Sequence, residues 1–191
     1  MMVERHEAMA AIKTLLQYLE ADAEREGLKR TPERVIEAWD EVFSGYAADA
    51  GEVLDATFNG EGYDGIVLLR DIEFHSTCEH HLQPFSGVAH VAYIPVDRIV
   101  GISKLARIVD LHARRLQNQE RITTGIVEDL VHHLAPMGAA AVLEARHGCM
   151  RCRGVQKQQA IMTTSAMRGV FFDRSEARAE LFQLLAHRAV P

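Results

Sequence analysis

Two short segments that lie far apart in the chain carry zinc-binding residue types, and one fold must bring both to a single ion. The first segment contains Cys78 and His81, whose two intervening residues let a tight turn direct a thiolate and an imidazole at one point. Cys149 follows about seventy residues later. A zinc ion takes about four ligands, and a catalytic zinc ion takes about three of them from the protein. The spacing predicts a split metal site formed by Cys78, His81 and Cys149.

A closed structural zinc site is the alternative interpretation of the same segments. Cys152 or His80 would complete the four ligands, and the Cys149-x2-Cys152 spacing is common in structural sites. A closed site leaves no position for water. The two interpretations therefore differ in whether the metal takes part in chemistry.

The composition favours an enzyme over a nucleic-acid or membrane-binding protein. The chain has 191 residues, is 48% hydrophobic and carries a formal net charge of −6, which disfavours binding to nucleic acid or to anionic membrane. The apolar residues near the start are interrupted by charged ones, so we expect no signal peptide. Three cysteines beside histidines fit metal thiolates in a reducing compartment. We expect a cytoplasmic protein.

Helical periodicity opens the chain. Apolar residues recur at helical spacing from Met9 to Leu19, and Thr31 with Pro32 predicts an N-cap followed by proline in the first turn of a second helix. Residues 46–65 are rich in Gly, Asp and Ala and show no clear period. We therefore predict an N-terminal helical region over 1–50 and a catalytic domain over 51–191.

The predicted main domain has strands, then helices, then strands and a final helix. Its strands are predicted over 66–74, 86–94, 139–147 and 160–172, and its helices over 103–116, 121–134 and 176–187, the last behind Ser175 as N-cap. The Cys78 motif lies on the connection between the first two strands. This grouping predicts an α+β fold.

Two histidines beside the metal ligands are candidates for proton transfer. His147 and Cys149 would share a face if the strand continues, which places an imidazole beside the metal. His80 lies between the two ligands of the first segment. A histidine in that position is about as often only a hydrogen-bonding neighbour of a ligand.

Cations are concentrated at two places in an otherwise acidic chain, which suits an anionic substrate. Lys104 and Arg107 lie three residues apart in the first turns of a predicted helix, beside Ser103, and Arg153 lies just beyond Cys149. The alternative is an ordinary solvated helix face in which Arg107 or Arg114 pairs with Asp110. No glycine loop of the Walker type occurs, so side chains would hold a phosphate.

Five segments together resemble the active-site motifs of the GTP cyclohydrolase I family, in the same order. The resemblance spans about residues 30 to 188 and includes the Thr31-Pro-Glu-Arg34 segment. The five segments are Ser76 to His81, Gly101 to Arg107, Arg115 to Arg121, His147 to Cys149, and Arg153 to Val155.

The resemblance implies a fold, an assembly and a reaction. The fold is the tunnelling fold, an antiparallel sheet with helices on one face, which assembles with other subunits into barrels, here a homodecamer. The reaction converts GTP and water to 7,8-dihydroneopterin triphosphate and formate, with Zn²⁺ activating the water. The product could feed folate, another pterin cofactor or deazapurine synthesis.

The resemblance also assigns roles residue by residue. Cys78, His81 and Cys149 match the zinc ligands, His80 the general acid and His147 the residue that transfers a proton as the ring opens. A departure from the family pattern is Cys152, whose position is not a ligand. The matches to triphosphate contacts are Arg34, Ser103, Lys104, Arg107 and Arg153, and the match to the guanine reader is Gln119 with Glu120.

Glu120 would accept hydrogen bonds from guanine N1–H and the exocyclic amine, which adenine does not offer. Its alternative role is a helix N-terminal acid favoured by the macrodipole.

Two other functions stay open at this point. One is a related tunnelling-fold enzyme acting on a pterin or deazaguanine, and the other is a zinc-stabilised subunit that binds a purine nucleotide without turnover.

Overall fold

A computed structural model describes residues 3–187 of the chain. They divide into two compact units, the first ending at Ser44 and the second beginning at Gly45. The assignment of residues 51–191 to catalysis remains a prediction. No helix within the described residues combines the length and the apolar character needed to cross a membrane.

Three α-helices come first in the described residues, four strands follow, and helices and strands alternate from there to the last strand. In chain order the helices are α1 (Arg5–Leu19), α2 (Thr31–Val42), α3 (Ala50–Leu54), α4 (Ile102–Ala113), α5 (Gln119–Leu134), α6 (Gly148–Arg151), α7 (Val170–Asp173) and α8 (Ser175–Ala186). The strands are β1 (Thr57–Asn59), β2 (Val67–Cys78), β3 (Pro84–Ile94), β4 (Arg98–Val100), β5 (Leu116–Gln117), β6 (Gly138–His147) and β7 (Met162–Gly169).

The first unit is a pair of helices, as the periodicity predicts. A capping box between Glu4 and Glu7 begins α1, and an ion pair between Arg5 and Asp40 joins α1 to α2. The second helix includes Thr31 as its first residue, so Arg30 is the cap and the prediction of Thr31 as N-cap is one residue out.

The second unit is built on a five-stranded sheet with the order β5-β2-β3-β6-β7. The strands β2, β3, β6 and β7 pair antiparallel. The expectation of a purely antiparallel sheet fails only at one edge, where β5 pairs parallel with β2. The reason is topological: α4 carries the chain back along the sheet, so β5 re-enters in the direction of β2. A separate two-stranded sheet joins β1 to β4.

The main core lies between the sheet and two long helices on one face. The helix α4 packs against β2, and α5 packs against β6 and β7. Ile108 of α4 and Ile126 of α5 are fully buried, and burying such a side chain stabilises a fold by about 1.5–3 kcal/mol. The alanines that face this core on β6, such as Ala141, are also buried and let the helix approach closely.

The other face of the sheet is also covered at one end, which differs from the prediction of helices on one face. Ala92 and Ile94 of β3 alternate with core residues and form a second cluster with Leu181 of α8. Arg70 of β2 donates to the carbonyl oxygen of Leu184 at 2.9 Å. This contact satisfies carbonyls at the end of α8, as basic side chains do at helix C-termini. Ser175 is the first residue of α8 and not its cap.

Candidate active site

The first two candidate ligands are carried by a tight turn at the end of β2. Cys78 is the last residue of the strand, and its carbonyl accepts hydrogen bonds from the amides of His81 at 3.3 Å and Leu82 at 2.9 Å. Leu82 has a φ of 52°, a left-handed conformation that side chains adopt only where surroundings impose it. Cys78 is buried and His81 is exposed, so the turn reaches from the core to solvent. The strand ends four residues later than predicted, so Cys78 belongs to β2 and His81 lies on the connection.

The third candidate ligand follows β6 on a short helix. The strand ends at His147, and Cys149 lies in α6. The prediction that strand alternation places His147 and Cys149 on one face is therefore wrong, because the strand does not continue to Cys149. Gly148 permits a close approach of the chain to Pro84, because a Cβ there would lie 2.6 Å from the Pro84 carbonyl oxygen. The close approach brings α6 against the start of β3, next to the Cys78 turn.

Cys78, His81 and Cys149 form a group whose ligand atoms all lie within 4.8 Å of one another. Cys78 Sγ lies 3.7 Å from His81 Nδ1. Bond lengths of about 2.3 Å for zinc–sulfur and 2.0–2.1 Å for zinc–nitrogen put a tetrahedral S···N edge at about 3.6 Å, so this pair fits the ion.

The thiols themselves favour a cation. Burial is the main cause that raises the pKa of Cys149, and the neighbouring Cys78 raises it further. Two adjacent thiolates repel each other, and a divalent cation between them offsets both the repulsion and the burial. The donor set of two sulfurs and one imidazole suits zinc among the common metals.

The two residues that would close the site are not members of this group. His80 lies nearby, with Nδ1 at 3.9 Å from Cys78 Sγ, but its side chain also approaches Glu79. Cys152 is exposed, and its Sγ lies 3.7 Å from the side-chain oxygen of Gln83. The described residues thus bring together three candidate ligands, and neither Cys152 nor His80 joins them as a fourth.

His147 is held rigidly at the end of β6. Its ring stacks on Phe85 of β3, with 4.4 Å between centroids and 9° between planes, as expected from their direct register across the two strands. His147 Nε2 lies 2.9 Å from Gln119 Oε1. Burial lowers the pKa of His147 below its ordinary value, and the charge of Glu120 opposes part of that shift.

Gln119 determines which nitrogen of His147 carries the proton. The Gln119 side-chain nitrogen lies 3.1 Å from the carbonyl oxygen of Leu143 and 3.0 Å from that of Met162. Carbonyls only accept, so the Gln119 nitrogen faces them and its oxygen faces His147. Because that oxygen also only accepts, the neutral ring is protonated at Nε2 and has its lone pair at Nδ1.

The Gln119 side chain therefore has internal partners for all its polar atoms. A third acceptor, Thr164 Oγ1, lies 3.1 Å from the same nitrogen, and Gln119 is only 1% exposed. This differs from the prediction that Gln119 and Glu120 together read the base. Glu120, the next residue, is exposed and close enough to His147 to affect its pKa.

Four of the residues predicted to bind phosphate lie in two separate places. Arg153 is exposed, and its charge lowers the pKa of Cys149 in part, so it lies near the metal group. Ser103 and Arg107 are exposed on α4, and Lys104 Nζ lies 3.1 Å from Asp55 Oδ1. No hydrogen bond or ion pair among the described residues joins these three α4 side chains to the metal group.

The alternative pairing on α4 is resolved in favour of Arg114, whose Nε lies 3.6 Å from Asp110 Oδ1. Arg107 makes no ion pair within the described part of the chain. Arg34 is exposed on α2 in the first unit, and its contribution to a site stays a prediction.

The residues that sequence reasoning missed join the metal turn to α5. Glu79 accepts hydrogen bonds from Arg121, with Nη1 at 2.6 Å, and from Asn118 Nδ2 at 3.0 Å. The hydrogen bond from Arg121 is the main cause that lowers the pKa of Glu79. Two signals were available, since Glu79 lies between two candidate ligands and Asn118 is a preferred N-cap residue.

A cavity of about 570 Å³ opens on the opposite face of the sheet. Its walls include His75, Glu144 and Arg146, which alternate with residues of the metal side along their strands. It includes none of the predicted site residues.

Comparison with known proteins agrees with the geometry. The family model for GTP cyclohydrolase I matches residues 8–186. A GTP cyclohydrolase 1 from Synechococcus sp. (strain JA-2-3B'a(2-13)) is 49% identical over 179 residues, covering 94% of this chain and 78% of the relative. One from Rickettsia prowazekii (strain Madrid E) is 44% identical over 185 residues, covering 96% of this chain and 97% of the relative.

A solved structure of the archaeosine synthase QueF-Like in the apo form is similar to part of the chain, with a TM-score of 0.46 and 17% identity. It covers 55% of this chain and 94% of the solved one. The family assignment depends on the sequence relatives, whose match runs over nearly the whole chain, metal group included. This chain belongs to the GTP cyclohydrolase I family.

Proposed function

We propose that the protein is a zinc-dependent GTP cyclohydrolase, which converts GTP and water to 7,8-dihydroneopterin triphosphate and formate. The observation that carries the proposal is the open group of Cys78, His81 and Cys149, whose ligand atoms lie within 4.8 Å of one another. Family membership supports the same reaction. A purely structural zinc site would need a fourth protein ligand.

The metal would be held by Cys78, His81 and Cys149. Zinc in an open three-ligand site supplies Lewis-acid chemistry that activates water near neutral pH. The buried sulfur of Cys78 anchors the site on the sheet, and exposed His81 leaves it accessible to a substrate.

His147 is proposed to move protons as the imidazole ring of the substrate opens. Its hydrogen bond to Gln119 keeps the proton on Nε2, so Nδ1 is the atom that accepts a proton. A lowered pKa keeps this ring neutral, as a base requires. Gln119 is thus proposed to orient His147, and the guanine base is left to Glu120.

His80 is proposed as the general acid that protonates the purine ring. It is exposed, and its Nδ1 lies 3.9 Å from Cys78 Sγ, close to the reaction centre without belonging to the ligand group. His80→Ala should therefore retain zinc while turnover falls by about 10²-fold. A zinc-free His80→Ala protein would instead make His80 a ligand.

Glu120 is proposed to read the guanine edge. It is exposed at the first turn of α5, and its charge acts on His147, so the base and the proton-transfer group lie close together. Glu120→Gln replaces an acceptor by an amide with a donor facing guanine N1–H, so GTP binding should weaken at least tenfold. Glu128→Gln, an exposed acid on the same helix, is the matched control. Unchanged GTP binding would leave Glu120 as only a helix-terminal acid.

The triphosphate is proposed to bind four cations and one hydroxyl, which are Arg34, Lys104, Arg107, Arg153 and Ser103. The arginines offer bidentate hydrogen bonds, and the lysine offers a compact charge. We also propose a homo-oligomer, with ten subunits as the count that the family resemblance implies. Light scattering after size-exclusion chromatography measures that count.

One assay tests the proposed reaction. Purified protein loaded with zinc is incubated with GTP, and both formate and a pterin that fluoresces after oxidation are measured. Stoichiometric formation of the two products supports the cyclohydrolase. Binding of GTP without either product would favour a nucleotide-binding subunit, and conversion of a pterin or deazaguanine alone would favour the related enzyme.

A further inference from the structure

The turn that carries two metal ligands is tied to the start of α5 by one carboxylate, that of Glu79. Arg121 of α5 donates to both of its oxygens, with Nη1 at 2.6 Å from Oε2 and Nη2 at 3.2 Å from Oε1. This bidentate contact fixes the orientation of the Glu79 carboxylate as well as its distance from Arg121. A single hydrogen bond would leave the carboxylate free to rotate.

Asn118 completes the tie. Its Nδ2 donates to Glu79 Oε1 at 3.0 Å, while its Oδ1 accepts from the backbone N–H of Arg121 at 2.8 Å as the cap of α5. The backbone N–H of Glu79 donates to the carbonyl of Gln117 at 3.0 Å. Both the main chain and the side chain of Glu79 are therefore bonded to the segment that begins α5.

The two ends of this tie carry different parts of the proposed site. Glu79 directly follows Cys78 and lies two residues before His81. Asn118 directly precedes Gln119, which holds His147, and Glu120. A shift of α5 relative to the turn would displace both sets at once. Groups that orient metal ligands typically change metal affinity by 10–100-fold when they are removed.

We propose that Glu79 is a positioning residue that couples metal retention to recognition of the guanine base, by holding the Cys78 turn against the N-terminus of α5. The inference rests on the proposed function, because it takes Cys78 and His81 as ligands and Glu120 as the base reader. Glu79 itself touches neither metal nor base.

An ordinary exposed ion pair is the competing description of Glu79 and Arg121. The Glu79 side chain is 26% exposed and that of Arg121 is 56% exposed, and pairs of this kind often contribute little to stability. The chain offers a matched control in Glu128 of α5, which pairs with Arg168 of β7 at 52% and 45% exposure. The control removes the same charge from the same helix without touching the metal turn.

The experiment compares Glu79→Gln and Glu128→Gln with the parent, each loaded with zinc. The rate of zinc transfer to a chromogenic chelator is measured without nucleotide, and the affinities for GTP and ATP are measured at equilibrium. We expect Glu79→Gln to lose zinc at least tenfold faster and to lose about tenfold of the preference for GTP over ATP. We expect Glu128→Gln to stay within about twofold of the parent in both.

Arg121→Lys keeps the charge but not the two-pronged contact, and it decides the matter if Glu79→Gln does not fold. It should show a smaller loss in both measurements, in the same direction. The proposal is overturned if both variants match the parent, or if zinc loss accelerates while the preference for GTP is unchanged. Zinc retention with a lost preference for GTP overturns it equally.

Measurements on the parent protein distinguish a failure of this inference from a failure of the proposed reaction. If the parent binds zinc and prefers GTP but releases no formate, the proposed function fails, and the two measurements still decide the role of Glu79. If the parent releases formate and Glu79→Gln behaves like the parent, only the coupling fails. A parent that releases formate but binds GTP and ATP equally overturns the coupling and leaves the proposed reaction standing.

Discussion

The beginnings of two neighbouring helices, α4 and α5, are built in opposite ways although both are proposed to meet the substrate. At the start of α5, Gln119 is 1% exposed and bonded at every polar atom, and Asn118 and Arg121 clasp Glu79. At the start of α4, Ser103 and Arg107 are exposed. Only Lys104 is held there, by the exposed carboxylate of Asp55.

The difference fits what each region is proposed to bind. Ring-opening chemistry needs a proton acceptor and a metal in fixed relation, since errors of about 1 Å cost large factors in rate. A triphosphate is a flexible polyanion, which cations attract over several ångströms before any hydrogen bond to it forms. In the protein without ligand, the Asp55 carboxylate forms an ion pair with Lys104. A bound phosphate would replace Asp55 as the partner of Lys104.

The largest effect should come from the three candidate metal ligands. Cys149→Ser removes one of the three sulfur and imidazole ligands, so the purified protein should contain little zinc and show no measurable turnover. Cys152→Ser, three residues along, should keep both. Metal content by mass spectrometry and formate release measure this. Zinc loss in the Cys152 variant, with retention in the Cys149 variant, would reverse the ligand assignment.

The next effect separates proton transfer from metal binding. His147→Ala should retain zinc while turnover falls by about 10²-fold or more, and a formylated intermediate should accumulate if only formate release is slowed. Gln119→Leu should act in the same direction by freeing the ring of His147. Quenched-flow analysis with zinc measurement on the same samples is the test. A His147→Ala protein that lacks zinc contradicts the separation.

A smaller effect is expected at α4, where the exposed carboxylate of Asp55 is the ion-pair partner of Lys104. Lys104→Ala should weaken binding of GTP by roughly 10–100-fold and leave guanosine unaffected, because it removes one charge-assisted contact to phosphate. Arg114→Ala, at the C-cap of the same helix and paired with Asp110, is the control and should change neither. Isothermal titration with both ligands measures the difference. Equal weakening of guanosine would mean that Lys104 supports the fold of the site.

The smallest effect concerns His90 of β3, a hydrogen-bonded histidine that belongs to neither α4 nor α5. His90 Nδ1 accepts a hydrogen bond from the backbone N–H of Asp71 at 3.1 Å, and burial lowers the pKa of His90. The unfolded chain then binds more protons, so this stability is present above about pH 6.5 and is lost as pH falls through the lowered pKa.

His90→Gln keeps an acceptor for Asp71 but does not titrate. Between pH 7.5 and pH 5, the parent should lose on the order of 1–2 °C more in melting temperature than this variant. Differential scanning calorimetry at the two values decides it. An equal drop in both proteins would show that His90 is not a source of acid sensitivity.

Much of the fold could be predicted because its signals are local. The periodicities of α4, α5, β3 and β6 follow from which face of each element is buried, and their bounds lie within a few residues of the predicted ones. The parallel strand β5 and the position of α8 on the second face could not be predicted in this way. A two-residue strand has no period, and the face that a final helix covers depends on the path of the whole sheet.

In the candidate site, too, the local features could be predicted and the contacts between distant elements could not. The spacing of Cys78 and His81 already limits how they can reach one ion, and Cys149 is a natural third ligand. The tautomer of His147 and the tie at Glu79 depend on Gln119 and Arg121, whose partners come from other elements. Sequence reasoning took Gln119 as a base reader, since nothing local shows that β6 and β7 surround its amide.

The sequence by itself determined the ligand types, the charge distribution and the order of elements, because each depends on residue identity and short-range spacing. Only the tertiary structure decided that Cys149 enters through a helix that Gly148 lets approach β3, that Nδ1 of His147 is its free nitrogen and that Glu79 joins the metal turn to α5. These features are hydrogen bonds and close approaches between elements distant in the chain. They exist only once the core has placed strands and helices within about 3 Å of a shared partner.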